Sequence, residues 1–215
     1  MNALWHIAGR EVARAWRGGG LWPPIAFFLL VAILFPFATG PDGPLLARIG
    51  GGVAWVSALL AALLPIDRLV EPDRADGTLD QFAVRGVSEE VIAAGKTLGH
   101  WLGFAPALLL AALPAAALFQ MNGPATLSML LALLIGTPAL AALGVAAAAL
   151  TAGLRGAAAI AGLIVLPIAV PVLIFGAAAA GTGGGGALRL LAAVSLVITA
   201  VSPFAAGAAI RGTRG

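Results

Sequence analysis

The chain has 215 residues, 61% of them hydrophobic and only 10% charged, with a mean hydropathy of +1.05. Soluble domains carry about 45–50% apolar and about 25% charged residues, so this is the composition of an integral membrane protein. Cysteine is absent, which excludes disulfides, Cys-ligated zinc, Fe–S clusters and a thiol nucleophile. The net charge of +3 comes from basic residues scattered at the ends of apolar runs, with no dense basic block, and gives nucleic-acid binding no support.

Residues 1–20 come first. At 100° per residue, Trp5, Ala8, Val12, Ala15 and Trp16 fall on one side of a helix, with Arg10, Arg14 and Arg17 on the other. That pattern predicts a short basic amphipathic helix in the headgroup layer, tryptophans toward the acyl boundary and arginines toward anionic lipid. A basic flank set by topology alone is the simpler alternative. Gly18-Gly19-Gly20 then allows a bend. The apolar run 21–38 is long for a signal peptide and is followed by further spans, so it reads as an anchor helix. A spanning helix needs about 20 mainly apolar residues, and five later runs meet that: 45–66, 97–119, 125–150, 157–180 and 187–210. The expected fold is therefore all-α: a polytopic membrane protein with six transmembrane helices, an N-terminal amphipathic interfacial helix, and a polar insert, 67–96, between spans two and three.

Loop charges give an orientation. The N-terminal segment, the insert, 151–156 and the C-terminal tail together hold Arg10, Arg14, Arg17, Arg68, Arg74, Arg85, Lys96, Arg155, Arg211 and Arg214, while the opposite side holds Arg48 and Arg189. The positive-inside rule then places both termini and the insert in the cytoplasm. Arg48 and Arg189 lie near span ends, where snorkelling to headgroups is the default.

Within the spans, Gly95, Gly99 and Gly103 recur every four residues, a small-residue face that lets another helix backbone approach closely. Pro106, Pro114, Pro138, Pro167, Pro171 and Pro203 favour kinks, although membrane helices tolerate proline more than soluble ones do. His100 follows Lys96 by one helical turn near the cytoplasmic entrance, a setting that suits an interfacial hydrogen-bonder more often than a ligand. Gly95-Lys96-Thr97 resembles the end of a phosphate loop, but the pattern needs glycine where Glu90 stands and a preceding strand. No carboxylate falls inside a predicted span, which argues against a membrane protease and against ion-coupled secondary transport.

Seven of the nine carboxylates lie between Asp67 and Glu90. Pro72 suits the first position of a short helix, with Asp73 and Asp76 near its positive end. Gly77 can turn the chain before Thr78-Leu79-Asp80-Gln81-Phe82, and Ser88 followed by Glu89 and Glu90 reads as the cap and first turn of the third helix. A solvated acidic loop without a partner is the plainer reading of the same residues.

In chain order, Leu34-Phe35-Pro36, Gly40-Pro41, Leu45-Leu46-Ala47-Arg48-Ile49, Trp55-Val56-Ser57-Ala58-Leu59-Leu60, Asp76-Gly77-Thr78-Leu79-Asp80-Gln81, Ala94-Gly95-Lys96, His100-Trp101, Gly136-Thr137-Pro138, Leu166-Pro167, Pro171-Val172-Leu173-Ile174-Phe175 and Ser202-Pro203-Phe204-Ala205 carry a resemblance. The chain resembles the haem exporter protein B family, permease-like subunits of the cytochrome c maturation ABC transporter, over essentially its whole length. It departs at Val84-Arg85-Gly86-Val87-Ser88, with glycine where the family often has proline, and in the glycine-rich loop 183–186.

The resemblance implies an inner-membrane protein with three membrane or membrane-associated partners: a separate ABC ATPase subunit, a haem-handling multi-span subunit and a small single-span subunit. A haem-loaded periplasmic chaperone is an indirect partner, released with the help of ATP hydrolysis. Haem is then a possible substrate and ATP belongs to the ATPase; no cofactor and no metal are assigned to this chain. Glu71, Asp73, Asp76, Gly77, Thr78, Leu79, Asp80, Gln81 and Phe82 are the expected ATPase-coupling residues. His100 and Trp101 are the candidate haem contacts. A permease for another substrate and a non-transporting scaffold for the other subunits are the alternatives.

Overall fold

The computed structural model describes residues 2–40, 42–181 and 184–213; Pro41 of the Gly40-Pro41 pair, Gly183 of the glycine-rich loop and Arg214 lie outside them. Ten helices and no strand occur among the described residues. They are α1 (Asn2–Arg17), α2 (Trp22–Thr39), α3 (Gly43–Leu63), α4 (Ile66–Leu69), α5 (Glu71–Ala75), α6 (Thr78–Val84), α7 (Glu89–Leu118), α8 (Gly123–Thr151), α9 (Ala157–Ala179) and α10 (Gly185–Gly212). Six of them, α2, α3 and α7 to α10, are long and apolar enough to cross a membrane.

Local chemistry explains where these helices start. Asp42, Ser88 and Asn122 cap α3, α7 and α8 by accepting from the backbone N–H of Leu45 (3.0 Å), Val91 (3.4 Å) and Ala125 (2.9 Å). Helix α7 begins at Glu89, at the cap and first turn that Ser88-Glu89-Glu90 predict, ahead of the apolar run 97–119. Its 30 residues extend about 45 Å, against a hydrocarbon core of about 30 Å, so its first turns project beyond the apolar layer and carry Lys96. Every in-span proline named above lies inside a helix that continues past it.

Helix α8 is the centre of the bundle, in contact with α3, α7, α9 and α10. Its inward residues are small, including Ala132, Gly136, Ala139, Ala142 and Gly144, so neighbouring helices approach closely. Trp55 of α3 is fully buried against it. A Cβ at Gly136 would lie 2.2 Å from the Trp55 ring, and one at Gly176 of α9 would lie 2.4 Å from it, so two glycines form the slot that holds the indole. At the periphery, α2 and α9 expose Phe37, Leu163 and Ile174, the apolar outer surface that a bilayer, unlike water, accommodates.

The turns separate into two ends. At one, Arg211 of α10 pairs with Glu90 (2.6 Å) and Glu89 (3.8 Å), and Glu71 accepts from the Gly153 N–H in the α8–α9 turn (2.7 Å). Helix α1 joins them there through Asp73. These are the segments that the loop charges group on one side. At the other end, Gln120 after α7 lies against Gly43 at the start of α3.

Candidate functional site

Helix α1 packs along the first half of α7, in the groove made by the glycine repeat. A Cβ at Gly95 would lie 2.9 Å from Ile7; one at Gly99, 2.6 Å from Glu11 Cβ and 2.8 Å from the Ala8 carbonyl oxygen; one at Gly103, 3.4 Å from Ala15 Cβ. Contact of this kind needs an α7 face without side chains. The register also gives α1 three faces instead of two. Ile7, Ala8 and Glu11 are buried toward α7, Arg10 and Arg14 face α5, and Trp5 and Trp16 are each 60% exposed.

The two-sided pattern placed all three arginines toward lipid. Instead, only Arg17 is left exposed, and Arg10 and Arg14 turn inward. The reason is Asp73. This carboxylate is 0% exposed, and burying one without cations costs several kcal/mol. Asp73 Oδ1 accepts from Arg14 Nη2 at 2.9 Å, while Oδ2 pairs with Arg10 Nη2 and with Lys96 Nζ. Lys96, 1% exposed, also donates to Glu11 Oε1 (3.1 Å) and to the Leu69 carbonyl oxygen (2.7 Å), so the ammonium has three acceptors. Glu11 is further paired with Arg10 at 2.9 Å and Arg14 at 3.7 Å. The result is a cluster of three cations and two carboxylates, with Lys96, Glu11 and Asp73 buried, that joins α1, α5 and α7.

Its electrostatics are mutually reinforcing. Burial alone would push the Asp73 carboxyl up, but the charge and hydrogen bond of Lys96, with Arg10 and Arg14, hold it below its ordinary value of 3.8. Burial likewise works against the charged form of Arg14, yet the hydrogen bond to Asp73 and the carboxylates of Glu11, Asp73 and Asp76 raise its pKa above the usual value. Both groups are charged across the physiological range.

The rest of the insert divides by direction. Glu71 is held by Arg74 (2.8 and 3.0 Å) and by the Gly153 N–H, which keep its carboxyl below the usual range and tie α5 to the α8–α9 turn. Gly77 has φ +72° at the start of α6, and Asp76 Oδ1 accepts from the Thr78 N–H at 2.9 Å. Leu79 is buried, and Phe82 is half-buried with the Arg10 guanidinium 5.3 Å from its ring centroid. Asp76, Asp80 and Gln81 are exposed. Of the residues expected to couple to an ATPase, Asp73, Leu79 and Phe82 therefore anchor the insert to the protein, and Asp76, Asp80 and Gln81 form its outer surface.

Arg10, Glu11, Arg14 and Lys96 were not among the expected site residues. The available signal was Glu11, the lone acid in α1, one turn beyond Ile7 and Ala8 and flanked by arginines, together with Lys96, set beside Gly95 and one turn before Gly99 and His100. Lys96 within a helix and saturated by carboxylates is not a phosphate-loop lysine.

His100 and Trp101 point to different neighbours. The His100 ring stacks on Phe104 at 5.9 Å, and its Nε2 is buried without a hydrogen-bond partner. Trp101 Nε1 donates to Thr137 Oγ1 of α8 at 3.1 Å. The cavity beside His100 measures about 110 Å³, well below the roughly 300–1,000 Å³ of pockets for drug-sized ligands. No group of three His, Cys, Asp or Glu side chains suited to a metal ion occurs among the described residues.

Buried charge thus anchors the insert beneath an exposed acidic surface. Known proteins match this sequence along nearly its whole length. Residues 2–213 match the family described as CcmB protein. The chain is 45% identical over 216 residues to Heme exporter protein B of Paracoccus denitrificans and 43% identical over 216 residues to that of Rhodobacter capsulatus, covering 98% of both chains in each case. It is 37% identical over 214 residues to Heme exporter protein B of Escherichia coli K12, covering 97% of each. With the match spanning α1, the insert and all six long helices, the chain belongs to the CcmB family.

Proposed function

We propose that this chain is the membrane subunit of an ABC-type complex for cytochrome c maturation, coupling ATP hydrolysis in a separate ATPase subunit to haem export or to release of a haem-loaded periplasmic chaperone. Relatives over nearly the full chain are named Heme exporter protein B, which supports the haem assignment. The positive-inside bias supports an inner-membrane protein with both termini and the insert in the cytoplasm. A haem-handling multi-span subunit and a small single-span subunit complete the proposed complex. In this reading α6, with Asp76, Asp80 and Gln81 outward, sits in a cleft of the ATPase.

The observation that carries the coupling role is Asp73. Its pairs with Arg10, Arg14 and Lys96 make α5 continuous with α1 and α7, so a push on the insert reaches both helices at once. Without that bond set the insert would be a loop that yields before it transmits. The test is to replace Asp76-Gly77-Thr78-Leu79-Asp80 with a neutral flexible linker and ask whether the ATPase co-purifies. Association is expected to fall sharply, and undiminished association would sink the docking assignment. Because Leu79 is buried, the double variant Asp76→Asn, Asp80→Asn serves as the companion: asparagine at 76 can still accept from the Thr78 N–H, and loss of the ATPase then reports surface charge and not unfolding.

A further inference from the structure

Three buried polar atoms at the charged end lack a hydrogen-bond partner: Arg10 Nε, Arg14 Nη1 and His100 Nε2. Two of these residues, Arg14 and His100, line the same cavity, which lies between the α1–α2 bend, the α3–α4 junction and α7. Arg14 Nη1 has only the 3.7 Å ion pair to Glu11 Oε2, and a buried charged donor without a hydrogen bond is costly, so the cavity it lines calls for an acceptor.

Its chemistry follows from the walls. The adjoining cluster has three cations to two carboxylates, and the exposed Arg68 adds a further positive charge at this cavity. Glu11 also lines it, but its carboxylate is engaged by Lys96 and Arg10. The remaining lining is largely apolar, with Leu21, Pro24, Leu69 and Phe104. Leu21 and Pro24 bracket the first turn of α2, a spanning helix, which places the cavity at headgroup depth. An anionic head with an apolar tail, at the depth where helix joins headgroup, describes one ligand class.

We propose that this cavity of about 110 Å³ is the headgroup site for one anionic phospholipid, with the phosphate between Arg14 and Arg68 beside Leu21 and Pro24 and the acyl chains outside it in the bilayer. Basic pockets between membrane helices are suited to anionic headgroups for the reasons seen here, low dielectric and converging cations. The lipid pins the Gly18-Gly19-Gly20 bend and so fixes where α1 meets α2. The site stands on its own residues and does not depend on the ATPase assignment.

The full chain, purified in detergent and delipidated, tests this by native mass spectrometry and thermal unfolding with phosphatidylglycerol, phosphatidylcholine or inorganic phosphate added back. One phosphatidylglycerol is expected to remain bound and to raise the unfolding midpoint, with phosphatidylcholine and inorganic phosphate doing neither. Arg68→Gln should weaken that retention roughly fivefold, the effect of one basic residue at an anionic membrane surface, and Arg68→Lys should keep it. Arg68 is exposed and outside the buried cluster, so its variants retain the fold, which the unfolding midpoint without lipid checks. Equal retention of the two lipids, or retention unchanged in Arg68→Gln, would overturn the site; stabilisation by inorganic phosphate equal to that by phosphatidylglycerol would overturn the lipid in favour of a free anion.

Discussion

The two ends of the helix bundle are held together by different physics. Every ion pair among the described residues that carries a short N–O distance lies at the end formed by α1, the insert, the start of α7 and the close of α10. The opposite end has caps at Asp42 and Asn122 and close apolar contacts: Gly50 against Phe119, Gly51 against Ala180, and Phe35 edge-on to Phe119 at 6.5 Å. Charge fixes partners by sign and geometry and resists substitution by anything of a different sign. Packing fixes them by volume. The first end should therefore fail when a charge is removed, and the second when a methyl group is added.

The largest effect belongs to Asp73→Ala. It leaves the buried Lys96, with the part-exposed Arg10 and Arg14, to Glu11 alone, and removing one partner of a buried pair such as Asp73–Lys96 costs about 3–5 kcal/mol because the cation left behind stays buried. The unfolding midpoint in detergent should drop accordingly, with α1 becoming protease-sensitive before the spans do. Pairing it with Lys96→Met removes the nearest orphaned cation, so the double variant should be more stable than the sum of the single losses predicts. Strict additivity would mean that the cluster is not one coupled unit.

At the other end the corresponding insult is Gly50→Ala. The added Cβ would lie 2.7 Å from Phe119 Cβ and 2.9 Å from Cγ, and Phe119 is fully buried, so neither side can give way cheaply. Overpacking of this kind costs about 1–3 kcal/mol. Two residues along the same helix, Gly52→Ala meets nothing within 4 Å and should raise the midpoint slightly, since alanine is favoured over glycine in a helix by up to about 1 kcal/mol. A matched loss at both positions would show that α3 is sensitive to glycine for flexibility and not for space.

These contrasts also mark what a sequence can and cannot say about such a protein. The spans were legible because length and apolarity suffice, and the start of α7 because Ser88-Glu89-Glu90 is a local capping signal. Pro72 and Gly77 likewise announced the short helices of the insert. What was not legible is pairing at a distance. Asp73, Asp76 and Asp80 look alike as acids in a polar loop, and only contact with Arg10 and Arg14, some 60 positions earlier, separates the buried anchor from the exposed surface. The tryptophan and arginine stripes of α1 are genuine periodicities, but they describe two faces of a helix that has three. The third, Ile7-Ala8-Glu11, was masked by the presence of a carboxylate, which reads as solvent-facing until Lys96 is placed opposite it. The packing role of Gly136 and Gly176 shows only once Trp55 is placed between them.

The smallest expected effect is the absence of one. With its carboxyl held below 3.8, Asp73 is ionised in the folded state throughout the range in which the unfolded chain also ionises it, so its contribution is fully present above about pH 4 and is lost only as pH falls through its folded value. Arg10 and Arg14 of α1 and Lys96 of α7 face it as the opposite charges, with Glu11 of α1 beside them. The stability gap between the wild-type chain and Asp73→Asn should therefore stay constant from pH 8 to pH 5 and narrow only below pH 4. Thermal unfolding of the two proteins across that range measures it directly. A gap that closes already between pH 7 and 5.5 would mean that Asp73 takes up a proton near neutrality, which requires that Lys96 and the α1 arginines are not all seated on it, and the charged end would then be held, like the other, by packing.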